Sequence, residues 1–252
     1  MTDHIQISTQ DRVTFLTIAR PDKKNAITQD MYAAMAKAIE DYDRTDEARA
    51  FIITGEGDMF TAGNDLQDFS TDDSGDAEPP VARFLRAVRD CEKPLIAAVN
   101  GPAIGVGLTM LLHCDLVYAA RSATFGAPFV KLGLVPEAAS SLLLPAAVGM
   151  AVANDILLAG RTLTADEAVS FGLVARVFAD DELASAVQKI GQHVAASAPN
   201  ALKFSKQLIR GNRTEIEQQM EDEAKLFVAQ LKSPDFRESV AAMMEKRQPV
   251  YA

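Results

Sequence analysis

The stretch PLIAAVNGPAIGVGLTMLLHCDLVYAA, residues 94–120, decides the fold class. Its apolar first segment, PLIAAVN, predicts a buried strand, GVGLTMLLHC predicts a helix, and DLVYAA predicts a second strand. The 18 residues from Leu95 to Leu112 carry no charge. Asn100, Pro102 and three glycines interrupt this run, which therefore indicates a buried strand, turn and helix rather than a membrane-spanning helix.

The alternation of strands and helices extends toward the N-terminus. VTFLTIA (13–19) and AFIITG (50–55) predict strands. QDMYAAMAKAIEDYDR (29–44) and VARFLRAVRDCEK (81–93) have helical periodicity, and Thr28 is a suitable N-cap for the first of these helices. Strands that alternate with helices are typical of an α/β core with parallel strands.

Strand patterns nearly disappear after about residue 147. The remaining sequence predicts helices, and Thr164 with Glu167 predicts a capping box at the start of one of them. Within the preceding core, the acidic segment STDDSGDAEPP (70–80) predicts a mobile loop. The sequence therefore predicts an α/β core followed by a helical section. The predicted helices of that section cover residues 149–159, 164–171, 180–197, 199–211, 214–231 and 234–247.

Composition and charge narrow the function. The 252 residues carry a net charge of −10, which argues against nucleic-acid binding by bulk electrostatics. Cys91 and Cys114 form no CxxC motif, so we expect a reducing, cytoplasmic location. The first residues, MTDHIQIST, lack the pattern of a secretion signal, so we expect none. HExxH, EF-hand, P-loop and G-x-S-x-G patterns do not occur in the sequence, so we expect no protein-bound catalytic metal.

Glycine-bearing loops follow two of the predicted strands. Gly105 and Gly107 flank Val106 at a predicted helix start, and FTAGND (60–65) is the second such loop. A dinucleotide fingerprint would place its third glycine at Met110, whose bulk argues against that site. Glycines let a ligand approach backbone N–H groups, which at a helix start can stabilise a developing oxyanion. Tight packing of strand on helix explains the same glycines, and the pattern alone leaves both interpretations open.

The segment GLVPEAASSLLLP, residues 133–145, contains one carboxylate, Glu137, among small and aliphatic residues. Burial raises the pKa of a carboxyl group, which makes its ionised form a stronger base and its protonated form a competent acid. Alternatively, Pro136 and Glu137 start a helix, with proline in its first position and the acid stabilising the helix dipole. The segment alone leaves both interpretations open.

Five ordered blocks, which together span about residues 5–250, resemble the crotonase (enoyl-CoA hydratase/isomerase) superfamily. The resemblance implies a ββα spiral core over residues 1–195 and a C-terminal helical trimerisation section over residues 196–252. It also implies an acyl-CoA substrate, a homotrimer or dimer of trimers, and no metal or redox cofactor. The five blocks are RPDKKNAIT, GEGDMFTAGNDL, PLIAAVNGPAIGVGLTMLLHCDLVYAA, ATFGAPFVKLGLVPEAASSLLLP and LTADEAVSFGLVARVF.

The resemblance also implies roles for individual residues. Asn64 and Val106 match the two positions whose backbone N–H groups hold the thioester oxygen in the family. Thr109 and Phe129 match the positions of the two glutamates that position and split water in family hydratases. Lys23 and Lys24 fall in the loop that passes the CoA phosphates. The full set expected to contact CoA or substrate is Lys23, Lys24, Asn25, Ala26, Ala62, Gly63, Asp65, Leu66, Thr109 and Phe129.

The two missing glutamates put hydration in doubt, because threonine and phenylalanine supply neither a base for water nor an acid for C2. Moving a double bond from C3 to C2 needs one base. PEAASS (136–141) resembles the P-E-[small]-x-S-S element of peroxisomal-type Δ3,Δ2-enoyl-CoA isomerases, so the resemblance predicts such an isomerase with Glu137 as its base. A hydratase that uses Glu137 unconventionally, and a non-catalytic acyl-CoA-binding or RNA-associated protein, stay open as alternatives.

Some other polar and aromatic residues have alternative roles. His113 and Asp115 are expected at a helix end or as hydrogen-bonded buried groups. Basic residues on one predicted helical face meet either solvent or CoA phosphates. These residues are Lys203, Lys206 and Arg210. Aromatic residues near the C-terminus pack in the core, at a subunit interface or on an adenine. These residues are Phe227 and Phe236.

Overall fold

The computed structural model describes residues 2–65 and 78–251, so most of the predicted loop at 70–80 and the predicted site residue Leu66 lie outside the described residues. The strands of the described part are Ile5–Gln10 (β1), Val13–Ile18 (β2), Ala50–Gly55 (β3), Leu95–Val99 (β4), Ala103–Ile104 (β5), Leu116–Ala120 (β6), Thr124–Gly126 (β7), Leu163–Thr164 (β8) and Arg176–Phe178 (β9).

These strands form two sheets. The larger sheet has the order β1-β2-β3-β4-β6-β9, with β1 antiparallel to β2 and each later pair parallel. The smaller sheet has the order β5-β7-β8. A single bridge between Thr61 and Ala103 connects the loop that follows β3 to the smaller sheet. The two glycine-bearing loops of the sequence are therefore neighbours in space.

The helices cover both faces of the larger sheet and form the C-terminal section. Side chains alternate between the two faces of a strand. Ala50 and Ile52 pack with Val187 of the helix at 183–196, whereas Phe51 and Ile53 point into the larger core on the other side. The helices are Gln29–Arg44 (α1), Pro80–Asp90 (α2), Val106–Thr109 (α3), Ser140–Val148 (α4), Met150–Leu157 (α5), Ala165–Ser170 (α6), Leu183–Ala196 (α7), Pro199–Ile209 (α8), Arg213–Leu231 (α9) and Pro234–Glu245 (α10).

The α/β core with parallel strands and the helical C-terminal section are confirmed. Thr28 caps α1 by accepting the N–H of Met31 at 3.3 Å. The capping box of Thr164 and Glu167 is present at α6. No helix among the described residues is long and apolar enough to cross a membrane.

Strands nearly disappear after residue 147, as predicted, but two short ones remain in the described part, β8 in the smaller sheet and β9 in the larger sheet. β9 extends that sheet by pairing with β6, in register from Tyr118 opposite Arg176. The strand has three residues, too few for a period-2 pattern, and the Arg176 guanidinium lies 5.2 Å from the centre of the Tyr118 ring. The predicted helix after Gly105 is also shorter than expected, because α3 gives way to a 3-10 turn at residues 110–113.

Candidate active site

Glu137 is buried in the described structure, with 6% of its surface exposed. Burial raises the pKa of its carboxyl group to about 7, and the negative charge of Glu223 adds to this effect. One of its oxygens, Oε1, is enclosed and accepts no hydrogen bond from the described residues. A carboxyl group with a pKa near neutrality can take up a proton and give it back at neutral pH.

The backbone that follows Glu137 adopts an unusual conformation. Ala138 and Ala139 both have left-handed φ angles, 61° and 54°, a region that disfavours residues with a Cβ atom. α4 begins after this turn, at Ser140, so the alternative in which Pro136 and Glu137 start a helix is wrong. Strained backbone conformations of this kind persist where surrounding contacts fix them, and they cluster at functional sites.

His113 holds one side of this turn. Its Nε2 atom donates a hydrogen bond to the carbonyl of Ala138 at 2.8 Å, and the imidazole is fully buried. Burial lowers the pKa of His113 to about 4, so the ring is neutral at physiological pH. This outcome confirms the expectation that His113 is a hydrogen-bonded buried group.

A cavity of about 480 Å³ opens in front of Glu137. This volume lies in the range of small-molecule binding sites. α2 and α9 form two of its walls, and Gln29 at the start of α1 contributes to a third. The side chains along these walls are mainly apolar, and charged groups occur among them. The apolar lining residues include Val81, Leu85, Met220, Ala224, Phe227 and Leu231, and the charged ones include Glu78, Arg86, Arg89, Glu217 and Glu221.

The loops that carry Asn64 and Val106 are packed against each other. Gly63, with a φ of 93°, lies so close to the carbonyl of Ile104 that a Cβ atom would approach its oxygen to 2.9 Å. Gly105 has a φ of 59° and places Val106 at the first position of α3. Among the described residues, neither the Asn64 N–H nor the Val106 N–H has a hydrogen-bond acceptor. Two available N–H groups on adjacent loops are suited to bind one carbonyl oxygen.

Tyr32 is hydrogen-bonded to the loop that carries Asn64. Its hydroxyl donates a hydrogen bond to Oδ1 of Asn64, and the side chain is completely buried on α1. Burial raises the pKa of Tyr32 well above its usual value, and the nearby charge of Glu137 raises it further. The hydroxyl therefore stays protonated and remains a donor to Asn64.

Sequence and structure comparisons identify the relatives of this chain. The model of the enoyl-CoA hydratase/isomerase family matches residues 8–252. The chain belongs to this family. An enoyl-CoA hydratase/isomerase from Pseudoalteromonas atlantica T6c is 55% identical, with a TM-score of 0.97 over 99% of this chain and 100% of that chain. OdaA from Pseudomonas aeruginosa is 36% identical, with a TM-score of 0.93 over 96% of this chain and 99% of that chain.

Relatives within the enoyl-CoA hydratase/isomerase family have different activities. The chain is 35% identical to the 1,2-epoxyphenylacetyl-CoA isomerase of Escherichia coli, an alignment that covers 100% of this chain and 99% of the relative. It is 39% identical to enoyl-CoA delta isomerase 2 of Rattus norvegicus over 84% of this chain, and it spans about half (55%) of that protein's length. The 2,3-dehydroadipyl-CoA hydratase of Escherichia coli is 32% identical over 96% of both chains. Family membership thus shows an enzyme of CoA thioesters and leaves the reaction to be argued from the site.

Most residues that the family resemblance assigns to CoA lie together in the structure. The N–H of Ala62 donates to the carbonyl of Lys24 at 3.0 Å, so the loop at 23–26 lies beside the loop at 61–65. Lys23 and Lys24 are exposed. Asp65 forms an ion pair with Arg20 at 2.6 Å, and Arg20 also donates to the carbonyl of Ala26.

Asn25 holds these two loops from inside. Its side chain is fully buried and donates to the carbonyls of Glu56 and Met59 at 2.9 and 2.6 Å. The same side chain accepts the N–H of Arg20 at 2.9 Å. Because all of these contacts are within the protein, the Asn25 side chain supports the loop, and the prediction that Asn25 contacts CoA stays a prediction.

Thr109 and Phe129, at the positions of the hydratase glutamates, are both buried. The Thr109 hydroxyl faces the carbonyl of Val106 at 3.5 Å. The Phe129 ring packs edge-on against Phe227, with 6.5 Å between the ring centres. Phe227 is therefore a core residue that also lines the cavity, and Phe236 packs beside the same core.

The basic residues of α8 contact the protein core. Lys206 is buried and pairs with Asp115 at 2.7 Å, and Arg210 reaches the same carboxylate at 3.4 Å. Lys203 pairs with Glu92. Lys206 and Arg210 thus fix this end of α8 to the core, the solvated role is wrong for the buried Lys206, and contact with CoA phosphates stays a prediction.

Sequence reasoning missed two residues of the site, Tyr32 and Glu223. Tyr32 falls on the apolar face of α1 and has the pattern of a core residue. Glu223 lies in the acidic run EDE of α9, which has the pattern of a solvated helix face. For Tyr32 a signal was available, because a tyrosine hydroxyl in a core position must find a hydrogen-bond acceptor. For Glu223 the sequence contains no such signal.

Proposed function

We propose that this protein is a Δ3,Δ2-enoyl-CoA isomerase that converts a 3-enoyl-CoA into the trans-2-enoyl-CoA. The observation that carries the proposal is the carboxylate of Glu137, whose pKa is raised to about 7 and which is the one buried acid among the described residues that line the cavity. Threonine and phenylalanine at positions 109 and 129 supply no second base or acid. One base with a near-neutral pKa is sufficient for a proton shift between two carbons.

The reaction needs one proton transfer in each direction. The ionised carboxylate of Glu137 removes a proton from C2, and the electron pair of that C–H bond moves into a dienolate. The N–H groups of Asn64 and Val106 stabilise the negative charge on the thioester oxygen. Protonated Glu137 then returns the proton to C4, which places the double bond between C2 and C3 and regenerates the base.

The surroundings of Glu137 favour this reaction over hydration. Adding water to C3 while protonating C2 requires a second catalytic group and a place for water. The Phe129 ring packs against Phe227 and is buried. An apolar surface of this kind disfavours an ordered water, which needs polar partners. Desolvation also increases the basicity of the carboxylate.

We propose that the CoA part of the substrate lies along the loop at 23–26, because Lys23 and Lys24 are exposed there and carry charges opposite to those of the phosphates. The acyl chain occupies the cavity between α2 and α9, whose lining is mainly apolar. This double-bond shift requires no metal or redox cofactor, so we propose that the enzyme uses none.

A homotrimer or dimer of trimers is part of the same proposal. Phe204, Leu208 and Ile209 on α8 are exposed in the single chain, at 58%, 84% and 82%. Exposed apolar residues in such proximity are typical of protein–protein interfaces. Light scattering coupled to size-exclusion chromatography tests this, since a single-chain mass at micromolar concentration contradicts it. A cytoplasmic location stays a prediction.

A second candidate is isomerisation of 1,2-epoxyphenylacetyl-CoA. The Escherichia coli isomerase of that name aligns over the full length of this chain, unlike the rat enoyl-CoA delta isomerase. In either case, the thioester would be held by the N–H groups of Asn64 and Val106 beside the carboxylate of Glu137. The two candidates therefore differ in substrate and share the site.

The deciding experiment offers the purified protein three substrate classes in parallel. trans-3-Enoyl-CoA thioesters of several chain lengths are followed by the ultraviolet absorbance of the conjugated product. trans-2-Enoyl-CoA is followed by loss of the same absorbance, and 1,2-epoxyphenylacetyl-CoA by chromatography. The proposal expects kcat/KM to be highest for a 3-enoyl-CoA by at least about tenfold. Faster hydration of the 2-enoyl thioester, or turnover of the epoxide alone, would replace it.

A further inference from the structure

Glu223 on α9 reaches across to the turn that carries Glu137. Its buried carboxylate accepts the backbone N–H of Ser141 at 2.9 Å and also the hydroxyl of Ser141. Burial raises the pKa of Glu223, and the hydrogen bonds from Ser141 lower it in part. One acidic side chain therefore binds the N–H of Ser141 in the first turn of α4, where N–H groups have no partner within the helix.

The turn between Glu137 and α4 needs such support. Ala138 and Ala139 are held in consecutive left-handed conformations. His113 fixes the carbonyl of Ala138 on one side, at 2.8 Å, and Glu223 fixes the N–H of Ser141 on the other. Two contacts from distant parts of the chain thus determine where the backbone places the Glu137 side chain.

The two carboxyl groups also influence each other through their charges. Oε1 of Glu137 and Oε2 of Glu223 are both enclosed, and within the described residues neither accepts a hydrogen bond. Like charges in a poorly solvated region disfavour ionisation of both groups. The other titratable or charged groups around Glu137 are Tyr32 from α1, Arg86 and Arg89 from α2, His113 after α3, Glu78 before α2, and Glu217 and Glu221 from α9.

Most of these other groups are neutral or already paired. Tyr32 stays protonated and His113 neutral at physiological pH, because burial shifts the pKa of each away from the neutral range. Arg86 pairs with Glu78 at 2.6 Å, and Arg89 pairs with both Asp90 and Glu217. The negative charge that adds to the effect of burial on Glu137 is that of Glu223.

We infer that Glu223 is a positioning residue for Glu137: it holds the left-handed turn that directs Glu137 at the cavity, and it places a second enclosed carboxylate beside the base. α9 carries Glu223 and forms a wall of the cavity. The position that α9 takes around a substrate therefore affects the basicity of Glu137. The inference rests on the proposed role of Glu137 as the catalytic base.

Two variants separate the mechanical effect of Glu223 from its electrostatic effect. Glu223→Gln keeps the shape and an acceptor oxygen for Ser141 and removes the charge. Glu223→Ala removes both the acceptor and the charge. Glu215→Gln, an exposed acid on the same helix, is the matched control for loss of one negative charge. Thermal melting of each variant first establishes that it is folded.

The readout is kcat/KM for a trans-3-enoyl-CoA as a function of pH. The wild-type rate rises with pH through a limb near 7, where Glu137 ionises. Without the charge at position 223, Glu137 ionises more easily, so in Glu223→Gln this limb shifts down by about one pH unit. In Glu223→Ala, kcat at high pH also falls by about tenfold or more, because the base is no longer directed at the substrate. Glu215→Gln keeps the wild-type limb.

The outcomes separate the inference from the function on which it rests. A Glu223→Gln limb at the wild-type pH, in an active and folded enzyme, overturns the inference and leaves the isomerase proposal intact. If the wild type does not turn over 3-enoyl-CoA, the isomerase proposal fails. The ionisation of Glu137 can then be followed directly by infrared spectroscopy, through the carboxyl C=O band that is present in the wild type and absent from Glu137→Gln. A downward shift of that titration in Glu223→Gln supports the coupling, and an unchanged titration overturns it.

Discussion

The hydroxyl of Tyr32 is hydrogen-bonded to Oδ1 of Asn64, and this contact ties α1 to the loop that presents one of the two proposed oxyanion donors. The charge of Glu137 contributes, after burial, to the raised pKa of Tyr32. The position of the Asn64 N–H therefore depends on a side chain that is not among the described residues lining the cavity.

Replacing Tyr32 with phenylalanine removes this donor and little else. We expect kcat for the 3-enoyl-CoA to fall about tenfold with KM nearly unchanged, because the oxyanion donor is less well placed for the dienolate. Tyr42→Phe is the matched control, since Tyr42 lies on the same helix and donates to the carbonyl of Pro94 at 2.9 Å, away from the site. That variant should lose about 1 kcal/mol of stability and keep its kcat. Equal kcat values for the two variants contradict the role of Tyr32.

A methyl group at Gly63 should disturb the same oxyanion pair from the backbone side. The Cβ atom of Gly63→Ala would approach the carbonyl oxygen of Ile104 to 2.9 Å, and the φ of 93° disfavours alanine. We expect kcat to fall at least about tenfold together with a loss of stability. In Gly149→Ala, whose φ of 80° is also unfavourable but whose Cβ meets no atom within 4 Å, stability alone should fall. Steady-state kinetics and thermal melting on both variants check this, and an active Gly63→Ala enzyme contradicts it.

The raised pKa of Glu137 makes a prediction about stability. The pKa is about 7 in the folded protein against an ordinary 4.5, so the unfolded chain binds fewer protons between these pH values. Stability therefore falls as pH rises from 4.5 to 7, by up to about 3 kcal/mol from this group. Glu137→Gln should be more stable than wild type at pH 8 by up to that amount and nearly equal to it at pH 4. Chemical denaturation at both pH values measures the difference, and a pH-independent difference contradicts the raised pKa.

The cavity between α2 and α9 should set the accepted acyl length. Ala224 lines this cavity from α9, so Ala224→Phe should raise KM for long 3-enoyl chains by about tenfold and leave short chains nearly unaffected. Ala229→Phe, an exposed position of the same helix that does not line the cavity, serves as the control. A uniform rise of KM over all chain lengths would show that the acyl chain lies elsewhere.

Several features of the site were visible in the sequence because they are local. Glu137 was recognisable as a lone carboxylate in an apolar segment, and Gly63 and Gly105 marked the loops where backbone N–H groups are accessible. The parallel strands β3, β4 and β6 were readable from short apolar runs bounded by turns. Each of these signals is contained within a few neighbouring residues.

The missed features depend on contacts between distant parts of the chain. Tyr32 and Asn64 are 32 residues apart, and Glu223 binds Ser141 across 82 residues. No local pattern distinguishes a buried acid on an amphipathic helix from a solvated one until the helix is docked. β9 was missed for a related reason, because its three residues become a strand only by pairing with β6.

The most direct test of the whole account is the kcat of Glu137→Gln for a trans-3-enoyl-CoA, measured beside wild type and Glu215→Gln by the absorbance of the conjugated product. The amide keeps the shape of the side chain and cannot accept the proton from C2. The account predicts a loss of about 10²- to 10⁴-fold in kcat for Glu137→Gln, with a folded protein and an unaltered control. A Glu137→Gln enzyme that retains wild-type kcat would contradict the claim that Glu137 is the base.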